Sequence, residues 1–231
     1  MPPHFLATLV HYERIGERYG ILRLKPEGEQ WTHNPGQYTK ILFGTGALSF
    51  AKTYSIASAM RADGVLDFCI QLNDPQLLDD EKQWEVGKTQ FSLTKPAGKF
   101  YLPNYASPVI LLAGGSGVTP LKAILEDRLT NGDPKALSLL LYGCGDDAEI
   151  PFHDDLKSLS ARHSQFAVRF FAEKRADKSR AEVGRPLDVL STLIDTKAEY
   201  LMCGPPSFME AARAQLTQAG ISSQQIHQDR Y

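Results

Sequence analysis

Short apolar or alternating runs dominate the first hundred residues. Phe5–Val10, Gly20–Leu24, Gln37–Phe43, Thr53–Ala57, Val65–Leu72 and Gln90–Leu93 read as strands. Turn signals separate them at Asn34-Pro35-Gly36, Asp63-Gly64 and Asn73-Asp74-Pro75. Many short strands without helical periodicity predict a small closed antiparallel β-barrel. The acidic stretch Pro75–Val86 reads as a short helix or an irregular loop. Near Ser107-Pro108 the pattern changes. Val109–Ala113 is continuously apolar, as a strand buried on both faces must be. A glycine-rich turn follows, then the alternation helix Leu121–Leu129, strand Leu137–Tyr142, helix Phe152–Leu159 and strand Phe166–Ala172. Helix Leu187–Leu193, strand Tyr200–Cys203 and helix Ser207–Ala219 complete it. This order predicts a parallel α/β sheet with helices on both faces. Two domains of different class are therefore expected, 1–104 and 105–231.

Composition narrows the function classes. The chain has 231 residues, 42% hydrophobic and 23% charged, with a formal net charge of −2. That balance argues against nucleic-acid binding driven by charge. No run approaches the roughly 18 apolar residues of a membrane span. Met1-Pro2-Pro3-His4-Phe5 lacks the regions of a signal peptide. Three scattered cysteines, Cys69, Cys144 and Cys203, are neither a disulfide framework nor enough for a four-cysteine cluster. A reduced, cytoplasmic compartment is the expectation.

Three segments carry candidate chemistry. Gly114-Gly115-Ser116-Gly117-Val118-Thr119-Pro120 lies between a buried strand and a helix. Such a turn lets backbone amides approach a pyrophosphate at the positive end of the helix dipole. It is not the usual dinucleotide fingerprint, because Pro120 stands where the third glycine would be. Lys52-Thr53-Tyr54-Ser55-Ile56-Ala57-Ser58 places Lys52, Tyr54 and Ile56 on one face of a strand. A cation beside an aromatic ring and a hydroxyl suits a ligand with a phosphate and a planar ring; an edge strand with a surface lysine reads the same way. Cys203-Gly204-Pro205-Pro206-Ser207-Phe208-Met209 ends a buried strand and opens a helix. In open α/β sheets, ligands bind at that end; a small buried cysteine before a proline helix start is the plainer reading.

In this order the segments resemble the ferredoxin–NADP⁺ reductase-like flavoprotein family. Pro35-Gly36-Gln37-Tyr38, the Lys52–Ser58 flavin motif, Pro96-Ala97-Gly98-Lys99-Phe100-Tyr101-Leu102, the Gly114–Pro120 turn, Tyr142-Gly143, Cys203–Met209 and the end Asp229-Arg230-Tyr231 match the family's signatures in sequence. The resemblance implies an N-terminal flavin barrel and a C-terminal NAD(P) domain. It places Tyr54 against the flavin ring, Ser55 near flavin N5, and Lys52 on flavin phosphate, with Ile56 and Ile70 beside the flavin. Gly115, Ser116, Gly117, Thr119, Pro120, Gly204 and Pro205 would hold the dinucleotide. Ser55, Cys203, Asp229 and Tyr231 would surround the hydride-transfer site, Tyr231 covering the second flavin face.

Two departures qualify the match. Lys52 replaces an arginine and loses its bidentate fork. Asn73-Asp74-Pro75-Gln76-Leu77-Leu78-Asp79-Asp80-Glu81 lacks the expected glycine and small-hydroxyl motif, and its acids repel phosphate. FAD is the expected cofactor and FMN the alternative. Glu173-Lys174-Arg175 bears on NADH against NADPH: the acid favours NADH, the two cations NADPH. His153, His163 and His227 lack metal-ligand spacing and read as surface or helix-terminal residues, and Trp31 and Trp84 as core. The reading is thus a flavin-dependent NAD(P)H oxidoreductase. Its acceptor is a separate redox partner, either ferredoxin, flavodoxin or an oxygenase component, or a small molecule. The alternatives are a flavin-bearing subunit of a larger complex and a non-redox nucleotide-binding regulatory module.

Overall fold

Alternating residues in the N-terminal half form six strands, β1 (His4–Ile15), β2 (Tyr19–Pro26), β3 (Tyr38–Phe43), β4 (Phe50–Ser55), β5 (Leu66–Gln71) and β6 (Gln90–Thr94). The structure is a computed structural model that describes residues 4–28, 31–44, 49–174 and 180–229. The strands pair antiparallel in the order β4-β3-β6-β1-β2-β5. Inward-facing Leu9, Leu22, Ile41, Phe43, Phe68 and Leu93 fill the barrel, and Trp31 is buried with them. Trp84 stacks on Phe43 at 5.9 Å between ring centres. Both tryptophans are packing residues. Two segments far apart in sequence pair directly: the N–H of Tyr38 donates to the Ala97 carbonyl, and the N–H of Ala97 to the Tyr38 carbonyl, each at 2.9 Å.

Lys52 and Tyr54 are half-buried on β4 while Ala51 and Thr53 are exposed, and Ile56, just past the end of the strand, lies in the core cluster against which Tyr54 packs. β4 ends at Ser55, because the chain there leaves the β3 edge and turns toward β5. Ile56 N–H donates to the Gln37 carbonyl at 2.9 Å and Ala57 N–H to the Asp67 carbonyl at 2.8 Å. This draws the barrel's two edges together and encloses the Ile56 side chain in the core. The acidic segment holds a short helix, α1 (Pro75–Glu81), whose first turn is capped by the Asp74 carboxylate accepting Gln76 N–H at 2.9 Å.

The C-terminal half builds a parallel sheet of β7 (Val109–Gly114), β8 (Ser138–Asp146), β9 (Phe166–Lys174), β10 (Glu182–Val183), β11 (Glu199–Cys203) and β12 (Ile226–Asp229). Its order is β10-β9-β8-β7-β11-β12. The helices are α2 (Val118–Asn131), α3 (His153–Arg162), α4 (Pro186–Leu190) and α5 (Pro206–Gln218). β10 and β12 escape the hydrophobic pattern: one has two residues and the other reads Ile-His-Gln-Asp, with only Ile226 fully buried. The apolar core is continuous across the seam. Tyr19, Ile21, Cys69 and Phe100 from the barrel side pack with Leu111, Val118, Leu121 and Tyr142.

The segment entering β7 is held by a charge. Arg128, 3% exposed on α2, donates to the Tyr105 carbonyl at 2.8 Å, the Ser107 carbonyl at 2.6 Å and the Ser138 hydroxyl at 2.9 Å. Its planar fork reaches acceptors that a single ammonium would not. Arg128→Met leaves these acceptors buried and unpaired, at a cost of about 3 kcal/mol or a melting temperature lowered by roughly 6–12 °C. Arg128→Lys should recover only part of it. Thermal denaturation of both variants is the check, and an unshifted Arg128→Met curve contradicts the assignment.

Candidate functional site

Strand order creates the site. From β7 the chain winds outward through β8, β9 and β10, then returns to lay β11 on the other side of β7. The loops leaving β7 and β11 therefore diverge, and a crevice opens at their carboxyl ends. Backbone contact forms its floor. A Cβ on Gly117 would fall 2.2 Å from the Cys203 carbonyl oxygen, and one on Gly204 would fall 3.0 Å from Gly114 Cα. Gly115 takes φ +54°, which turns the chain sharply into α2. Pro120 is tolerated in the first turn of α2 because its missing N–H would have no helical partner there.

The crevice has two adjoining hollows of about 530 and 400 Å³. They share Arg18, Tyr19, Gly114, Gly115 and Pro205. The larger is lined further by Gln71, Ser116, Gly204, Glu210, Arg213 and Asp229. Two barrel residues thus face the nucleotide-type turn. Gln71 donates from Nε2 to Ser116 Oγ at 2.9 Å, and Tyr19 brings its hydroxyl close to Gly115. Burial pushes the Tyr19 phenol up to about 12, so it stays a neutral donor. The smaller hollow ends at Glu173, at the close of β9. Its carboxylate accepts from Arg185 Nε at 2.6 Å, just ahead of α4.

The expected site residues separate into groups. Gly115, Ser116, Gly204, Pro205 and Asp229 line or floor the crevice. Gly117, Thr119 and Pro120 are buried behind it. Thr119 donates its hydroxyl to the Ser116 carbonyl at 2.7 Å and so shapes the turn from beneath. Cys203 is fully buried and is the register partner of Asp229 on β12. Ser55 is 6% exposed at the end of β4, beside Tyr54, whose ring packs edge-on to Phe43 at 6.1 Å. Ile56 and Ile70 are fully buried in the barrel core. Lys52 is paired with the Asp74 carboxylate at 2.5 Å. That hydrogen bond, with the helix-cap bond from Gln76, holds the Asp74 carboxyl below the usual range. Tyr231, Arg230 and Arg175 lie outside the described residues.

His153 is helix-terminal, as expected, opening α3; it is buried, with its ring tilted against Phe170 at 4.5 Å between centres. His227 departs from the expectation: it lies half-buried within β12, its Nε2 hydrogen-bonded to the Glu199 carboxylate at 2.7 Å. Among the described residues no cluster of His, Cys, Asp and Glu has metal-holding geometry. Sequence reasoning missed Arg18, Tyr19, Gln71, Arg185, Glu210 and Arg213. Pro206, Met209, Glu210 and Arg213 share one face of α5 at helical spacing, a signal present in the sequence. Tyr19 and Gln71 carry no such signal, because β2–β5 pairing brings them opposite each other.

Comparison with known proteins agrees with this architecture. Residues 111–214 match the oxidoreductase NAD-binding domain family. The chain is 28% identical over 216 residues to a flavohemoprotein of Xylella fastidiosa, covering 88% of this chain and 53% of that protein. It is 27% identical over 232 residues to the toluate 1,2-dioxygenase electron transfer component of Pseudomonas putida, covering 98% of this chain and 67% of that one. The chain thus spans about half to two thirds of the length of these relatives. Its fold superposes on a ferredoxin NADP⁺ reductase from Neisseria gonorrhoeae with a TM-score of 0.79 at 19% identity, covering 98% and 97% of the two chains. Residues 111–214 carry the oxidoreductase NAD-binding domain match, and the chain as a whole shares the fold of ferredoxin NADP⁺ reductase, a barrel joined to a parallel sheet with a cleft at the switch point.

Proposed function

We propose that this chain is an NAD(P)H-dependent flavoprotein reductase that passes electrons from a reduced nicotinamide through FAD to a separate acceptor. The observation that carries the reading is the two-walled crevice. One wall is the glycine turn at the start of a 14-residue helix, and the other is the barrel's Tyr19 and Gln71. Such a cleft suits two ligands that meet between domains.

When bound, a flavin accepts a hydride and releases its electrons singly. The chain's own groups bind, orient and shield. On the barrel side, Tyr54 offers an aromatic face between the Lys52 cation and the Ser55 hydroxyl, a donor set that fits a planar ring with a phosphate tail. On the sheet side, the amides of Gly115–Gly117 and the positive end of α2 receive a diphosphate. Cys203 and Asp229, side by side on β11 and β12, are assigned with Ser55 and Tyr231 to the place where nicotinamide meets flavin. Lys52 reaches a flavin phosphate by exchanging it for Asp74. Ring contacts therefore supply most of the flavin affinity, and FMN uses the same groups as FAD. At the far end, Glu173 accepts a hydrogen bond from a ribose 2′-hydroxyl and repels a 2′-phosphate, which favours NADH.

The acceptor is a separate redox partner. The name of the Pseudomonas putida relative makes an oxygenase component the first candidate, ahead of a ferredoxin, a flavodoxin or a small molecule. Among the described residues no helix is long and apolar enough to cross a membrane, and the buried thiols Cys69, Cys144 and Cys203 suit a reducing cytoplasm.

The purified protein, supplied with FAD, should absorb near ~450 nm and bleach on addition of NADH; a protein that stays colourless after FAD or FMN is supplied contradicts the reading. Asp74→Asn keeps the helix cap but frees Lys52. It should tighten FMN and FAD about 2–5-fold and leave riboflavin unchanged, as measured by flavin fluorescence quenching. Equal gains for all three flavins would assign the effect elsewhere. Glu173→Gln should raise the kcat/KM ratio of NADPH to NADH about tenfold, equivalent to ~1.4 kcal/mol. An unchanged ratio would remove Glu173 from the specificity site.

A further inference from the structure

Lys122 lies one turn into α2 and is buried at the seam of the two domains, with a side-chain exposure of 3%. Its ammonium has three protons and three acceptors. It donates to the Ala57 carbonyl at 3.1 Å, to Asp67 Oδ2 at 3.1 Å and to Glu126 Oε1 at 2.6 Å. The other carboxylate oxygen of Glu126 accepts the Ala59 N–H at 3.0 Å. Arg61 forks onto Asp67 at 3.0 and 3.1 Å. Arg23 approaches Asp67 at 3.5 Å and reaches Asp155 of α3 at 3.1 Å. Arg61 also reaches Asp63 at 3.3 Å, so three cations meet four carboxylates, contributed by both domains. Burial opposes the charge on Lys122, but Glu126 and Asp67 outweigh it and raise its pKa. Burial likewise opposes ionisation of Asp67, and Lys122 and Arg61 outweigh it, so its pKa is lowered.

The position of this network is informative. Ala57–Ala59 directly continues Lys52–Ser55, the segment assigned to flavin. α2 begins at Gly114–Gly117, the turn assigned to the dinucleotide. One helical turn on one side and two residues on the other separate the network from both supports. Apolar packing would hold the domains together without charge, and replacing a buried ion pair by hydrophobic residues is often neutral or stabilising. Apolar contact is non-directional, however, whereas hydrogen bonds fix donor and acceptor within a few tenths of an ångström. Hydride transfer needs reacting atoms about 3–3.5 Å apart, and a misplacement of about 1 Å costs on the order of 100-fold in rate.

We propose that Lys122 and Glu126 are positioning residues, which clamp α2 to the backbone at Ala57 and Ala59 and so set the spacing between the dinucleotide turn and the flavin-bearing strand. The proposal rests on the flavoprotein reading above. Its test uses the full chain loaded with flavin and the variants Lys122→Met, Glu126→Ala and Glu126→Gln. Flavin and NADH dissociation constants, the limiting rate of flavin reduction and amide hydrogen exchange at Ala57–Ala59 are measured. Lys122→Met should lower the limiting rate about tenfold or more while both dissociation constants stay within about twofold. Exchange at Ala57–Ala59 should quicken. Glu126→Ala should lower the rate by at least about threefold, and Glu126→Gln, which still accepts the Ala59 N–H, should restore most of it. Glu126 is 20% exposed on a helix, so its variants serve if Lys122→Met does not fold. An unchanged limiting rate in flavin-loaded variants, with only the melting temperature lowered, overturns the clamp alone. A parent protein that binds no flavin overturns the reading beneath it, and the clamp with it.

Discussion

The contact between the Gly117 backbone and the Cys203 carbonyl joins two turns that the chain reaches 86 positions apart, the difference of their residue numbers. Any side chain at position 117 would push β7 and β11 apart at their carboxyl ends. The crevice, the aim of α2 and the placement of Cys203 beside Asp229 all follow from that approach. Parallel pairing from Val109/Glu199 to Ala113/Cys203 sets the register, and the reversal of winding direction at this pair opens the gap. Site and topology have one cause here.

The seam between barrel and sheet combines two kinds of contact with different consequences. The continuous apolar core from Tyr19 and Ile21 to Leu121 and Tyr142 supplies cohesion. The polar contacts, Gln71 to Ser116 and Lys122 to Ala57, supply direction. β5 carries the barrel end of both systems: Asp67 lies near its start and Gln71 at its end. One strand therefore references the barrel to the turn and to the helix that follows it.

Charge pairing also explains how a family pattern changes without loss of the fold. Asp74 begins α1 and neutralises Lys52 in the same stroke. The Lys52 cation thereby has a protein partner, and the start of α1 has its cap. At the opposite end of the crevice, Glu173 and Arg185 make a similar pair beside the smaller hollow. Under the proposed function, a phosphate at Lys52 would displace the Asp74 carboxylate, whereas a ribose hydroxyl at Glu173 would share that carboxylate with Arg185.

Much of the architecture was legible in the order of residues alone. Period-two runs and turn dipeptides define four of the six barrel strands closely, and the uninterrupted apolar run at Val109 announces a doubly buried parallel strand. Glycines 114, 115 and 117 mark the phosphate-type turn because few other sequences permit such close backbone approach. Local signals failed where a segment's partner lies far away. β12, Ile-His-Gln-Asp, carries no strand signal of its own and forms by pairing with β11. Tyr19 and Gln71 become crevice residues, and Lys122 a seam residue, through pairing and packing between distant segments. A one-dimensional pattern records how each residue suits its own element; which charges and rings meet across elements is decided by register and chain crossing, which exist only after the chain has folded.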